Sequence, residues 1–377
     1  MPIETDRKRV LMQWYDGQML PDEIIKAMTE DQHWFPHRKI SRGGDIRRFE
    51  PSPQSLPKLE IHDAGRVLDF YDYFSVNCLA GIIILKDGKL VYETYQRGMR
   101  PDTLWHSCSM AKSISSTLVG IALKEGAIAS LDDPIGKYLD AGDFYSTISL
   151  RHLLRMNTGA KWNEDYGDTN SERRRLLDIQ TEWRRGGILD FMRAQKAGTP
   201  IGTSWAYNTG ESYLVGAVME AATGMRLADY LSQKLWSRIG AEHDARWWCE
   251  SEDGMTVSGS GMNASLMDYA RFGQFVLEDG KIGGEQLLPP GWRDEAGAPF
   301  DVGGARSEYG YMWWIPKNED PVLTGSFQAE GVYGQFIHIN PKAGLVVALG
   351  SMRSKPGSRR RFEIDDDAFF AALAKAL

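Results

Sequence analysis

Ser109 and Lys112, three residues apart, open the stretch of this chain whose residue types and spacing can do chemistry. Residues three apart share a face at the start of a helix, so the lysine amine can reach the serine hydroxyl. Serine is a weak nucleophile until a base takes its proton, and lysine is that base only where burial or neighbouring cations lower its pKa. Met110, Ile114, Leu118 and Ile121 give the following helix an apolar stripe that would desolvate the amine. The helix N-terminus adds N–H groups and a positive dipole end, which favour the oxyanion formed by attack on a carbonyl. The predicted chemistry is acyl transfer. A plainer reading competes with it: an N-cap serine beside a solvated lysine. A second match, Ser55 to Lys58, shows that the tetrapeptide alone proves little, and Pro57 inside it argues against a helix there. His106 is close enough in sequence to be another base, but it reads better as packing beside Trp105.

The elements that must hold this pair are legible in part. Ala80 to Leu85 and Lys89 to Tyr95 flank Lys86-Asp87-Gly88, a strong hairpin signal. Gln335 to Asn340 and Leu345 to Leu349 bracket Pro341 to Gly344 in the same way. A closing helix begins at Asp365 to Asp367 and carries Phe369, Phe370 and Leu373 on one face. Between the hairpins the pattern is helical over Ser109 to Lys124, Leu150 to Met156, Tyr213 to Thr223, Leu227 to Leu235 and Ser265 to Leu277. The expected class is α+β: an antiparallel β-sheet flanked by helices and closed by both chain termini, with a mostly helical region inserted. The expected division is 61–130 with 300–377 as the sheet domain and 131–299 as the helical domain. Residues 1–60 lack steady periodicity and read as a surface-hugging extension. A site is expected in the cleft between the two parts.

Composition narrows the function classes. A chain of 377 residues with 42% hydrophobic and 25% charged residues is neither disordered nor a membrane bundle. Its net charge of -7 would repel a phosphate backbone, so no nucleic-acid partner is expected, and no membrane partner either. Arg353 to Arg361 are basic, but Pro356 and Gly357 make a solvated loop the better reading. Cys78, Cys108 and Cys249 are too few and too scattered for a disulfide framework or a zinc knuckle. A reducing, cytoplasmic location is expected, with no secretory signal at the N-terminus as given. Gly-x-Ser-x-Gly, His-Glu-x-x-His, a Walker loop and Gly-x-Gly-x-x-Gly are all missing, and the seven histidines stand apart. Neither metal nor cofactor is expected.

The wider context of the Ser-Lys pair carries a resemblance. The run from Ser107 to Leu139 resembles the serine β-lactamase-like family of penicillin-recognising enzymes and related esterases. Arg151 to Gly159, Trp205-Ala-Tyr207-Asn-Thr-Gly, Asp268 to Gly273 and Gly331-Val-Tyr-Gly-Gln335 resemble its later segments, in the right order. Within that family, Asn163-Glu-Asp-Tyr166, Trp183 and Val332 to Gln335 are similar to the nylon-oligomer branch, the 6-aminohexanoate-dimer hydrolases. The resemblance implies Ser109 as the acylated nucleophile, Lys112 as its base and Tyr207 as the proton relay to the leaving group. It implies the N–H groups of Ser109 and Val332 as oxyanion donors, and Tyr166, Trp183, Glu330 and Tyr333 as substrate-binding residues. Core packing is the plain alternative for the aromatic ones.

Two departures bear on substrate. Thr209 stands where many members have asparagine, and Ala329-Glu330-Gly331 where penicillin-binding members have Lys-Thr-Gly. The cation that would hold a β-lactam carboxylate is thereby replaced by an acid. The expected function is a serine hydrolase of small carboxylic esters, extending to linear amides of the 6-aminohexanoate-oligomer type, through an acyl-enzyme on Ser109. The expected partner is a small ester or amide substrate, and the expected state a monomer or homodimer. The alternatives are a β-lactamase or D-alanyl carboxypeptidase, and a binding or sensor paralogue acylated without turnover.

Overall fold

The computed structural model describes residues 4–54, 56, 58–357 and 362–377, with side chains from residue 7 onward. Ser55 and Pro57 of the second Ser-x-x-Lys match, and residues 358–361 of the basic run, lie outside the described residues. In chain order the elements that matter for the site begin with helices α1 (Glu4–Tyr15) and α2 (Pro21–Thr29) and strands β1 (His37–Ile40), β2 (Leu79–Lys86), β3 (Lys89–Tyr95) and β4 (Trp105–His106). Helices α3 (Met110–Glu125), α4 (Glu172–Thr181) and α5 (Thr209–Thr223) follow, then β5 (Ala245–Trp248), β6 (Met262–Ala264) and α6 (Leu266–Leu277). The last are β7 (Phe327–Gly331), β8 (Gln335–Asn340), β9 (Leu345–Ser351) and α7 (Asp366–Ala376).

The main sheet has the order β7-β8-β9-β2-β3 and is antiparallel throughout. The two hairpins expected from the sequence therefore meet, with Val347 opposite Ile84 and Leu349 opposite Ile82. Along β2 every residue from Leu79 to Leu85 is buried, because both faces of the sheet are covered. Ala80, Ile83 and Leu85 join one core with α3 and α6, while Leu79, Ile82 and Ile84 join a second with α7. The expected α+β class holds.

Helix α6 corrects the expected domain division. It packs on β8, β9 and β2 rather than among the helices of the insertion. Gly273 makes that contact: a Cβ there would sit 2.6 Å from Val346 Cγ1 and 2.8 Å from Ile337 Cγ2.

The N-terminal residues are a second correction. Trp14, Met28, Asp31 and Ile40 are all at most 1% exposed, and β1 pairs with β5 in a second sheet of order β1-β5-β6-β4. Part of this segment is core: Ile24, Ala27 and Met28 bury one face of α2, and Trp14 and Asp31 are matched to distant partners. Arg353 is a third. It is 3% exposed and donates to Glu363 and Asp366, so Arg353 belongs to a buried ion-pair cluster, while Ser354 and Lys355 after it are exposed as the solvated-loop reading expects. Among the described residues no helix is long and apolar enough to cross a membrane.

Candidate active site

Strand β4 leads into Ser109, the expected nucleophile. His106 pairs with Asn263 of β6, and the Ser107 N–H donates to the Met262 carbonyl at 2.7 Å. Cys108 then takes φ +45°, which turns the chain sharply into α3. Ser109 occupies the N-cap position but its side chain makes no cap hydrogen bond. Its hydroxyl instead accepts from Lys112 Nζ at 3.0 Å. Lys112 is 1% exposed, so both halves of the plainer reading fail: the serine does not cap and the lysine is not solvated. Burial pushes the Cys108 thiol up, leaving it an inert neighbour.

The Lys112 ammonium also donates to the Gly259 carbonyl at 2.9 Å. That carbonyl comes close because residue 259 has no side chain; a Cβ there would lie 1.9 Å from Ser212 Oγ. Burial lowers the Lys112 pKa from 10.5 to about 7, with Glu164 and Cys108 opposing the shift and Arg173 aiding it. Near neutral pH the amine is therefore poised to accept a proton.

Tyr207 completes the group. Its ring stacks on Trp314 at 5.2 Å and meets Tyr309 edge-on at 5.9 Å. Lys112 Nζ lies 5.1 Å from the ring centroid, and the Ser109 hydroxyl is close enough to act on the phenol. Burial, then Tyr309 and Glu164, hold the phenol pKa well above its usual value, so it stays protonated and can donate. Asn208 caps α5 by accepting from the Glu211 N–H at 3.1 Å. The departure at Thr209 has a structural cause: its N–H and hydroxyl both donate to Glu164, at 3.0 Å and 2.5 Å, so it faces that carboxylate.

Val332 lies in the turn between β7 and β8, beside the loop that carries Ser107 to Ser109. A Cβ on Gly331 would stand 2.8 Å from the Ser107 carbonyl, which measures how closely the two segments approach. The N–H groups of Ser109 and Val332 donate to no protein acceptor among the described residues, as an oxyanion site requires. Glu330, half-buried on β7, accepts from Gln328 at 2.8 Å and lies near enough to Tyr207 and Tyr309 to act on them electrostatically.

The four expected substrate-binding residues do not all share one surface. Tyr166 is half-buried, close enough to Tyr207 to influence it, and stacked on Tyr15 at 5.3 Å. Trp183 carries the Arg7 guanidinium 3.5 Å over its ring. Tyr333 is corrected: it is 1% exposed, stacked on Trp14 at 5.2 Å, and its hydroxyl donates to the Trp14 carbonyl at 2.5 Å. It is packing between the site turn and α1, not a wall open to substrate. His106 is buried with Nδ1 on Asp31 at 2.7 Å, so it orients the loop and does not reach Ser109 as a base.

Sequence reasoning did not single out Glu164 as a site residue. Its carboxylate gathers the Trp162 indole N–H at 2.6 Å, Thr209, the Tyr166 hydroxyl at 3.3 Å and Arg173 at 3.7 Å. Gly259, Tyr309 and Trp314 were missed as well. Glu164 lay inside a quoted motif and could have been found; the other three converge only through tertiary folding.

Comparison with known proteins gives the family. The family model described as Beta-lactamase matches residues 80–372. The 6-aminohexanoate-dimer hydrolase of Paenarthrobacter ureafaciens is 25% identical over 345 residues, covering 83% of each chain. A proposed 6-aminohexanoate-dimer hydrolase of Bacillus anthracis superposes with TM-score 0.78 at 23% identity, over 93% of this chain and 91% of that one. A family VIII carboxylesterase gives TM-score 0.62 at 18% identity, over 81% of this chain and 96% of the esterase. With the model spanning most of its length, and with that fold shared by these hydrolases, the chain belongs to the Beta-lactamase family.

Proposed function

We propose that this protein is a metal-independent serine hydrolase that cleaves small carboxylic esters, and linear amides of the 6-aminohexanoate-oligomer type, through an acyl-enzyme on Ser109. The observation that carries the reading is the 3.0 Å contact between Ser109 and a buried Lys112 whose pKa is lowered to about 7. Ser109 Oγ attacks the carbonyl carbon as its proton passes to Lys112 Nζ. Negative charge moves to the carbonyl oxygen, which the N–H groups of Ser109 and Val332 stabilise. When the tetrahedral adduct collapses, the bond to the leaving group breaks and the Tyr207 phenol donates a proton to it. Lys112 passes the proton it took from Ser109 to Tyr207, which leaves the amine neutral and the phenol protonated again. Water then attacks the acyl carbon as its proton passes to the neutral Lys112, directly or through Tyr207; the bond to Ser109 Oγ breaks, the same proton returns to Oγ, and the acid is released.

Substrate preference follows from the acids around the site. Glu330 and Glu164 both act on Tyr207, so a carboxylate-bearing β-lactam meets repulsion where a neutral or amine-bearing substrate does not. The names of the relatives, a 6-aminohexanoate-dimer hydrolase and a carboxylesterase, support the same direction. The test compares p-nitrophenyl butyrate with nitrocefin, using wild type and Ser109→Ala. Serine-dependent ester turnover with slow nitrocefin turnover is expected. Nitrocefin turnover matching the ester would return the β-lactamase reading, and single acylation without turnover would make the protein a sensor.

A further inference from the structure

The two oxyanion donors come from segments that are far apart in the chain, Ser109 ahead of α3 and Val332 in the β7–β8 turn. Their usefulness depends on spacing, since each N–H must lie about 2.7–3.1 Å from the developing oxyanion. A misplacement of about 1 Å can cost a hundredfold in rate. Something must therefore hold the two segments at fixed separation.

One residue of the N-terminal helix touches both. Trp14, 1% exposed at the end of α1, stacks its indole flat on Tyr333, with centroids 5.2 Å apart and planes 10° apart. Tyr333 follows Val332 directly and donates its hydroxyl to the Trp14 carbonyl at 2.5 Å. The same indole meets the His106 ring edge-on at 5.2 Å, three residues before the nucleophile. Each contact is anchored on its far side. His106 Nδ1 bonds Asp31 at 2.7 Å, and Asp31 is held by Arg246 at 2.9 Å and Asn263 at 2.8 Å. The turn is held by the Tyr333 N–H on Gln335 Oε1 at 3.3 Å and by the Gly334 N–H on the Gly331 carbonyl at 2.9 Å, with Gly334 at φ +85°. Gln335 in turn donates to Met28 Sδ of α2 at 3.6 Å and to the Ser351 carbonyl at 3.1 Å.

We propose that Trp14 and Tyr333 are positioning residues that set the separation of the two oxyanion donors, making the N-terminal helix a working part of the catalytic site. The inference rests on the acyl-enzyme reading above. A rigid indole clamped between two anchored segments transmits their spacing in a way that a flexible side chain cannot, because cores pack at crystal-like density. Tyr333→Phe keeps the ring and removes one hydrogen bond, whereas Trp14→Leu removes the spacer and Trp14→Phe keeps a flat ring.

The experiment measures kcat and KM for p-nitrophenyl butyrate and affinity for butylboronic acid, which forms a tetrahedral adduct on a catalytic serine. Wild type, the three variants and Ser109→Ala are run together, with thermal melts. Expected results are a kcat loss of about tenfold for Tyr333→Phe and about a hundredfold for Trp14→Leu, with KM within about twofold. Boronate affinity should fall in proportion, and Trp14→Phe should recover most of the loss. Variants that melt earlier but keep wild-type kcat and boronate affinity would overturn the inference, as would a rise in KM at constant kcat. If Trp14→Leu does not fold, Tyr333→Phe decides alone. A wild type no more active than Ser109→Ala would overturn the acyl-enzyme reading and this inference with it; a serine-dependent wild type with unaffected variants would overturn only the inference.

Discussion

Lowering the pH through 7 should switch this enzyme off by protonating Lys112. Only the neutral amine can take the Ser109 proton, and burial sets the titration at about 7 instead of 10.5. At pH 7 roughly half of the lysine is then competent, against about 0.03% for a solvated lysine, a gain of about a thousandfold. The acid limb of kcat/KM should lie near pH 7 and fall tenfold per unit below it. Glu164 is the largest charge opposing the shift, so Glu164→Gln should move the limb to lower pH. The assay is kcat/KM for p-nitrophenyl butyrate from pH 5 to 9, corrected for spontaneous hydrolysis, on wild type and Glu164→Gln. A wild-type limb above pH 9 would refute the buried-base argument, and an upward shift in Glu164→Gln would refute the charge assignment.

Lys112→Met should abolish turnover yet raise stability near pH 7. The buried amine costs up to roughly 4 kcal/mol there, offset by about 1–3 kcal/mol for leaving the Gly259 carbonyl unpartnered. Urea melts showing a less stable Lys112→Met would contradict this. Glu211 is 1% exposed and burial raises its carboxyl pKa from 4.5 to about 8. Wild-type stability should therefore decline as pH rises from 4.5 to about 8, whereas Glu211→Gln should be flatter. The gain of that variant should grow by roughly 3 kcal/mol between pH 5 and 8 in denaturant titrations. Gly259→Ala forces its Cβ to 1.9 Å from Ser212 Oγ, a hydroxyl fixed on the Thr209 carbonyl at 2.6 Å. It should cost about 1–3 kcal/mol in a urea midpoint and lower activity, because Thr209 also anchors the segment carrying Tyr207.

What could be read in advance was local. The Asp87-Gly88 hairpin, the closing helix with its acidic start and the Ser109–Lys112 spacing each depend on residues a few positions apart, and all three appear, with Asp365 as the N-cap of α7 where it was expected in the first turn. Strand β7 was not drawn because Ala329-Glu330-Gly331 read as a motif, with no alternation to mark an edge strand. The N-terminal residues misled for a different reason. Trp14 finds its partners at His106 and Tyr333, and Asp31 at His106, Arg246 and Asn263, so no local period reveals the burial of these two, whereas Ile24, Ala27 and Met28 of α2 do follow a helical spacing that was overlooked. The Ser109–Lys112 contact was visible from its spacing, but the second partner of the lysine is a backbone carbonyl at Gly259, which carries no side-chain signal. Tyr309 and Trp314 surround Tyr207 only because the chain returns there after a long excursion.

The central claim is that the acyl group is carried on Ser109. Its most direct test is acid quenching of wild type during p-nitrophenyl butyrate turnover, followed by intact mass and peptide mapping. The account predicts one butyryl group, located on Ser109 and absent from Ser109→Ala. Butyryl on another residue, or steady turnover with no adduct in wild type and undiminished turnover in Ser109→Ala, would contradict it.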